Sequence, residues 1–409
     1  MRGPNRRSVG MAAMTVACVA VGLVFAVPVL VPTPSLEKVG SLVASGRYDL
    51  ARACVEDYLR EFPEHPRARL MAAEILLNQP GPQPESALQH LGRFKSRDRK
   101  LSAVAKLDEG KAAYLLDLYD RAETCWLRAL ELDPRIPEAS WALLDLYYLE
   151  GRRQDARRLA LKQHAVEPDP HDRVHLLLEL VRQDAEPPDP SSITERFRAA
   201  IHRNPGGVHA SIAYGLSRIH ASQAEEGLMA LRGVLSRHPD NLDAWDALLT
   251  GLDDAGRASE MGEALARVPP TLAGDARLLR HRGREAQERR DWPAAVQAYR
   301  QAFAARPDDL VVAYRLVQAL RRSGDLEEAR QLEIVTRSAQ SANTQLPELY
   351  KEADGTKDFG IVPHNDLYRR LADNRERLGR RDEARAWHLL ILENNPGDPD
   401  SKAAVERLR

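Results

Sequence analysis

The sequence predicts an all-α chain, a solenoid of about ten stacked helix pairs preceded by one membrane-spanning helix. Three observations predict it. A glycine marker, Gly-x-x-x-x-Ala, recurs at Gly46/Ala51, Gly151/Ala156, Gly324/Ala329 and Gly379/Ala384, and Gly256 stands in the same place with Met261 five residues on. A proline marker recurs at 34 residues from Pro134 to Pro168 and from Pro205 to Pro239, and at 68 from Pro239 to Pro307. The third observation is an uncharged run over residues 8–32.

The uncharged run comes first in the chain. Arg2, Arg6 and Arg7 precede it, and Glu37 and Lys38 roughly balance after it. About 20 apolar residues span the hydrocarbon of a bilayer as a helix. The basic flank then keeps the N-terminus cytoplasmic and sends the rest across. The expected organisation is a basic tail over 1–8, a signal-anchor helix over 9–31, nine repeats over 35–350, and a loop, a last repeat and a capping helix over 351–409. A cleaved signal peptide is the rival reading, with Val24-Phe25-Ala26 as a passable cleavage site. Cleavage would leave a periplasmic or secreted protein in place of a single-pass membrane protein. The export signal and the bias of Arg over Lys suggest a bacterium.

Beyond residue 34, each period reads as two helices. The segment 123–134, ETCWLRALELDP, spaces its apolar residues as a helix and ends on a proline. The marker glycine falls between the two helices, where a left-handed residue closes the first. Gly110, Ala122 and Ala129 fall where paired helices cross closely, as do Gly283, Ala295 and Ala302. Trp126 and Tyr299 fill the space beside those crossings.

These residues resemble the tetratricopeptide repeat. Ala122, Trp126, Ala129 and Pro134 match its second helix, as do Ala295, Tyr299, Ala302 and Pro307, and Trp245, Leu248 and Leu252 match a first helix. The resemblance implies a right-handed superhelix and covers nearly all of the chain after residue 34. The chain departs from the pattern at four places. Three extra residues fall near 78–84 and three more near 186–190. A short second helix ends at Pro269-Pro270. The gap from Gly324 to Gly379 is 55 residues, which suggests a lengthened helix over about 326–350 and a loop to Pro363.

Composition excludes several functions. The 59 basic and 60 acidic residues cancel to −1, so no basic excess exists to neutralise nucleic acid. Three cysteines cannot build a disulfide framework or a four-thiolate zinc site. Cys54 and Cys125 occupy equivalent repeat positions and read as packing residues. No phosphate loop, nucleophile elbow or Cys-x-x-Cys occurs. The chain is therefore expected to be no enzyme, with no cofactor, no resident metal and no small-molecule substrate. One alternative remains open: His171, His175 and Glu179 share a helix face and could hold a metal in a binding or enzymatic site. The basic run 93–100 reads as cations at a helix C-terminus.

What remains is a protein or peptide partner. The resemblance implies that the first helix of each pair lines the concave face. Carried onto this chain, it gives a candidate groove of Trp141, Asp145, Tyr148, His175, Glu179, Asp246, Asp253, Arg277, Arg280, Arg284, Tyr314 and Arg321. An acidic stretch there abuts a basic one, which suits an extended peptide or a partner helix. The expectation is a membrane-anchored scaffold that holds a partner outside the cytoplasm.

Overall fold

A computed structural model describes residues 35–186 and 189–409. The signal-anchor expected over 9–31 lies outside the described residues. Among the described residues no helix is long and apolar enough to cross a membrane. Those residues form 21 α-helices and no strand, an all-α helical-repeat solenoid.

The helices fall into two compact units, divided after Leu101. The first contains α1 (Leu36–Ala44), α2 (Tyr48–Glu61), α3 (Pro66–Asn78) and α4 (Pro84–Gly92). Val39, Val55, Ala68 and Ile75 lie in one core that joins α1, α2 and α3. The second unit begins within α5 (Arg99–Leu115) and continues through α6 (Tyr119–Leu132), α7 (Pro137–Leu149), α8 (Arg153–His164) and α9 (Pro170–Ala185). Next come α10 (Pro190–Arg203), α11 (Val208–His220), α12 (Ala224–Arg237), α13 (Leu242–Asp254) and α14 (Ala258–Arg267). It ends with α15 (Ala276–Glu288), α16 (Trp292–Ala305), α17 (Leu310–Ser323), α18 (Leu326–Asp354), α19 (Asn365–Arg377), α20 (Arg381–Asn394) and α21 (Pro399–Arg407).

Local chemistry sets these boundaries. Prolines occupy the first turn of α3, α4, α7, α9 and α21, where no backbone donor is needed. Asp169, Asn241, Asp275, Asp291, Asp309 and Asp398 accept backbone N–H groups at helix starts. The marker glycines Gly46, Gly151, Gly256, Gly324 and Gly379 all have positive φ, between 69° and 96°. Asp117, Ser222 and Arg290 take the same left-handed conformation in other repeats. Those repeats carry no glycine signal for that reason.

The close crossings form as the small residues predict. A methyl group on Gly110 would stand 2.4 Å from the Trp126 ring, and one on Gly283 would stand 2.6 Å from Tyr299. Trp126 Nε1 donates to the Leu107 carbonyl at 3.2 Å, which satisfies the buried indole. The second helix before Pro269 is short, α14, and the lengthened helix is α18, which runs to Asp354.

One helix departs from simple nearest-neighbour stacking. α9 buries Leu176 and Leu180 in the core built by α5–α8. It also buries Val174, Leu177, Leu178 and Val181 against Leu346, Tyr350, Phe359, Tyr368 and Trp387. The long α18, the loop after it and the last helix pair therefore dock on a helix formed some 170 positions earlier, with α20 also touching α8.

A cluster of six charges, Arg375 and Glu383 buried and the other four partly so, accompanies that docking. Arg157 of α8 pairs with Asp308 at 3.0 Å and with Glu383. Asp184 of α9 pairs with Arg375 at 3.0 Å and with Arg380. Arg375 Nε lies 3.4 Å from Glu383, and neither side chain has appreciable exposure. Three cations thus meet three carboxylates with little exposure to water, an arrangement in which removing a partner of the buried Arg375 costs far more than the net worth of the pair.

Candidate functional site

The candidate groove residues fall into three places. Trp141 of α7 and His175 and Glu179 of α9, joined by Arg182, line a pocket of about 450 Å³. Its opposite wall is the chain's own, formed by Tyr350 and Asp354 at the end of α18 and by Lys357, Phe359 and Ile361 of the following loop. Phe359 is buried against His364, Tyr368 and Trp387, which anchors that loop. The loop also holds one isolated bridge between Phe359 and Val362.

Side chains around the pocket restrain one another. Arg182 Nε donates to Glu179 at 2.7 Å, and its guanidinium stacks on the Tyr148 ring at 4.5 Å. Tyr148 Oη donates to the Glu186 carbonyl at 2.7 Å. Partial burial raises the Asp145 carboxyl, and the charge of Glu179 adds to the rise. Burial pushes the Tyr350 phenol up to about 12, helped by the charges of Asp354 and Glu186. Burial, followed by the neighbouring His171, holds His175 below its ordinary value.

The second place is a ladder between α13 and α15. Arg277 pairs with Asp243 at 2.6 Å, Arg280 with Asp246 at 2.7 Å, and Arg284 with Asp253 at 2.8 Å. The first two pairs lie one period of 34 apart, and the third lies 31 apart. Arg315 of α17 adds a second cation to Asp253 at 2.7 Å. The acidic and basic stretches thus neutralise each other within the fold. Burial raises the Asp246 carboxyl, but its hydrogen bond with His281 and the charge of Arg280 outweigh this and hold it low. The third place is α17, where Tyr314 is exposed and Arg321 pairs with Glu333.

The alternative metal face does not assemble. The His171 and His175 rings sit edge to face at 4.2 Å, and Glu179 turns to Arg182 and Gln183. Among the described residues, ligating atoms converge instead at Glu123, Glu150 and His209, within 4.8 Å of one another. There, Arg152 already holds both oxygens of Glu123, at 2.7 and 2.8 Å, and reaches Glu150 at 3.1 Å. His209 Nδ1 lies 2.9 Å from Asp120. A guanidinium fills the space that an ion would need, so this is an ion-pair cluster joining α6 to α11.

Comparison with known proteins agrees with the repeat geometry. Residues 36–91 and 107–172 match one profile described as a tetratricopeptide repeat, and residues 286–332 match a second. The chain carries tetratricopeptide repeats. Tetratricopeptide repeats point to a protein–protein interaction scaffold. Among curated proteins, cellulose synthase operon protein C of Pseudomonas fluorescens is 30% identical over 137 residues. That match covers 32% of this chain and only 11% of the relative. Among solved structures, the Cut9–Hcn1 hetero-tetramer of APC/C is similar at 15% identity, covering 91% of this chain and 82% of that one, with a TM-score of 0.34. The pilF protein of Pseudomonas aeruginosa shares 14% identity over 58% of this chain and 99% of its own, with a TM-score of 0.32.

The sequence reading missed the six-charge cluster and the second buried face of α9. A signal for the latter is present. The run Val174–Val181 is apolar at six of eight positions, and a helix apolar on more than one face is one buried on more than one face.

Proposed function

We propose that this chain is a membrane-anchored tetratricopeptide scaffold that holds a protein or peptide partner outside the cytoplasm, with the pocket beside α9 as its contact surface. The observation that carries the reading is the pocket itself. Aromatic and ionic groups converge there on a repeat type whose work is protein recognition, and they come from two parts of the chain distant in sequence. The anchor rests on the uncharged residues 9–31 behind a basic tail. A second reading follows from the cellulose synthase operon relative: the partner belongs to a polysaccharide-making assembly.

Two measurements test the proposal. A phosphatase fused to the C-terminus should be active, and a cytoplasmic fluorescent reporter at the same place should stay dark; the reverse pattern defeats the topology. Crosslinked pull-down of the full chain should recover a discrete partner, whose identity decides between the two readings. Recovery of no partner defeats the scaffold assignment.

A further inference from the structure

The basic run 93–100 does not lie where cations serve a helix C-terminus. α4 ends at Gly92, and Arg93 alone caps it. Lys95 and Arg97 stand in the connection, and Arg99 and Lys100 open α5, whose first turn holds no acid. Cations at a helix start oppose its dipole, so the fold gains nothing from them there. All five are exposed. Among the described residues, Arg93, Lys95, Arg97 and Lys100 pair with no carboxylate. Asp98, the one acid of the run, accepts the backbone N–H groups of Lys100 at 2.8 Å and Leu101 at 3.2 Å.

The run lies at the end of the first unit where the chain enters it. Short turns over 45–47, 62–65 and 79–83 join α1, α2, α3 and α4, so successive helices alternate in direction. The start of α1, the α2–α3 turn and the end of α4 therefore share one end. Arg69 ties two of these together: its Nε donates to the Pro63 carbonyl at 2.8 Å, and its Nη1 lies 3.3 Å from Nδ1 of His90. The other exposed acids of that end are Glu37, Asp57, Glu61 and Glu64, set against Lys38, Arg60 and Arg67. With the run included, eight exposed cations there face five exposed carboxylates. The opposite turns hold Arg47 and no acid. Phe62, 43% exposed beside Tyr58, adds an apolar ring to the basic end.

We propose that this basic end lies against anionic phospholipid headgroups. The inference rests on the anchor over 9–31 and gives the first unit a second hold on the same bilayer. Val31 and Ser35 are four residues apart, at most about 14 Å, so α1 starts close to the membrane surface. Polybasic segments beside an anchor are drawn to anionic lipid within a Debye length, about 8 Å in physiological salt. Guanidinium groups pair with phosphate oxygens edge on, and an aromatic ring among the cations suits the headgroup boundary. The run lies well beyond the ~15–20 residues after an anchor whose charge sets orientation, so it does not oppose the expected topology.

Trypsin digestion of the full-length chain in lipid nanodiscs tests this. The discs hold phosphatidylcholine alone or mixed with phosphatidylglycerol. Cleavage over 93–100 should be at least about fivefold slower with phosphatidylglycerol, and high salt should restore it. Cleavage at the exposed Arg47, at the opposite end, should keep one rate throughout. Lys95→Gln with Arg97→Gln and Lys100→Gln leaves Arg93 and Arg99 as cleavage sites and should lose most of the protection, with helical content by circular dichroism unchanged. Equal cleavage in both lipids, or protection kept by the triple variant, overturns the docking. Protection by added alginate in phosphatidylcholine discs, with none from phosphatidylglycerol, overturns it in favour of an acidic polysaccharide. Vesicle flotation after an alkaline wash separates the two proposals, because a chain that washes off defeats the anchor. Salt-sensitive flotation with phosphatidylglycerol vesicles alone then still sustains the basic end, and flotation with neither lipid overturns both.

Discussion

Arg375 has no exposed side-chain surface, and its Nη1 lies 3.0 Å from Oδ2 of Asp184, a residue 191 positions earlier in the chain. A repeat array needs only neighbour contacts to fold. This pair therefore reports an added constraint, the docking of α18–α20 on α9. It shapes the candidate site, because one wall of the pocket comes from α9 and the other from the docked segment. Whatever holds Arg375 to Asp184 also keeps the pocket at its observed width.

Asp184→Asn should therefore be among the most damaging single substitutions in the chain. It leaves Arg375 and Arg380 buried with one carboxylate fewer, and breaking a buried pair from one side costs about 3–5 kcal/mol. The loss should fall on the last helix pairs, so limited proteolysis should cut after α17 before the earlier repeats yield. Wild-type protection in that region would show that the apolar contacts of α9 suffice.

The pH dependence should have two windows. Burial pushes the Asp184 carboxyl up, but Arg380 and Arg375 outweigh it and hold it below the ordinary range. A depressed carboxylate contributes stability above its unfolded pKa, near 4, and loses it as pH falls through the folded value. His164 acts higher. Burial, then the charge of Arg173, lowers it to about 4, and its Nε2 has no hydrogen-bond partner. The unfolded chain takes up that proton near 6.5 and the folded chain does not. Stability should fall from pH 6.5 to about 4, by at most about 3 kcal/mol for this group. His281 and His388 are shifted the same way, whereas burial pushes Glu150 up to about 7, and at His209 burial is outweighed by a hydrogen bond to Asp120 that holds it above its ordinary value; both of these lean the other way. The readout is therefore the change in slope: urea titrations of His164→Leu should lose less stability than the wild type as pH falls through that window. An unchanged slope would assign the window to other groups.

Gly110→Ala should test the helix crossings directly. The added methyl meets the Trp126 ring, which is pinned by its bond to Leu107, so the indole cannot swing aside without losing that bond. Overpacking of this kind costs about 1–3 kcal/mol. Gly233→Ala meets nothing within 4 Å and should be neutral or slightly stabilising, which makes it the matched control in thermal melts.

Much of this fold was legible because repeats advertise themselves. Gly46, Gly151, Gly256, Gly324 and Gly379 mark left-handed turns that few other residues enter cheaply. Where Asp117, Ser222 and Arg290 make the same turn, the signal vanishes although the geometry persists. The candidate site was legible only in part. Trp141, His175 and Glu179 were found from their places in the repeat, but the facing Tyr350, Asp354 and Phe359 belong to the irregular stretch that breaks the period. No periodic rule says where such a segment docks. The charges of α13 and α15 looked like a surface waiting for a partner because sequence shows that opposite signs are near, not that they are already paired.

That pairing changes what a charge reversal should do. Arg280→Glu with Arg284→Glu would set new carboxylates against Asp246 and Asp253, and against the nearby Asp309 and Glu288. Asp246 is mostly buried and also holds His281 at 2.9 Å, so its desolvation would lose its compensating cation. Hydrogen bonds to charged groups are worth about 1.5–3 kcal/mol each, so the double variant should lose several kcal/mol and melt earlier. Asp246→Arg with Arg280→Asp keeps the pair with its signs exchanged and should recover part of that loss in a double-mutant cycle. If the double reversal melts with the wild type while partner recovery falls, the ladder is recognition surface. If it melts earlier and the folded fraction still captures its partner, these six charges serve the fold and recognition lies at the pocket beside α9.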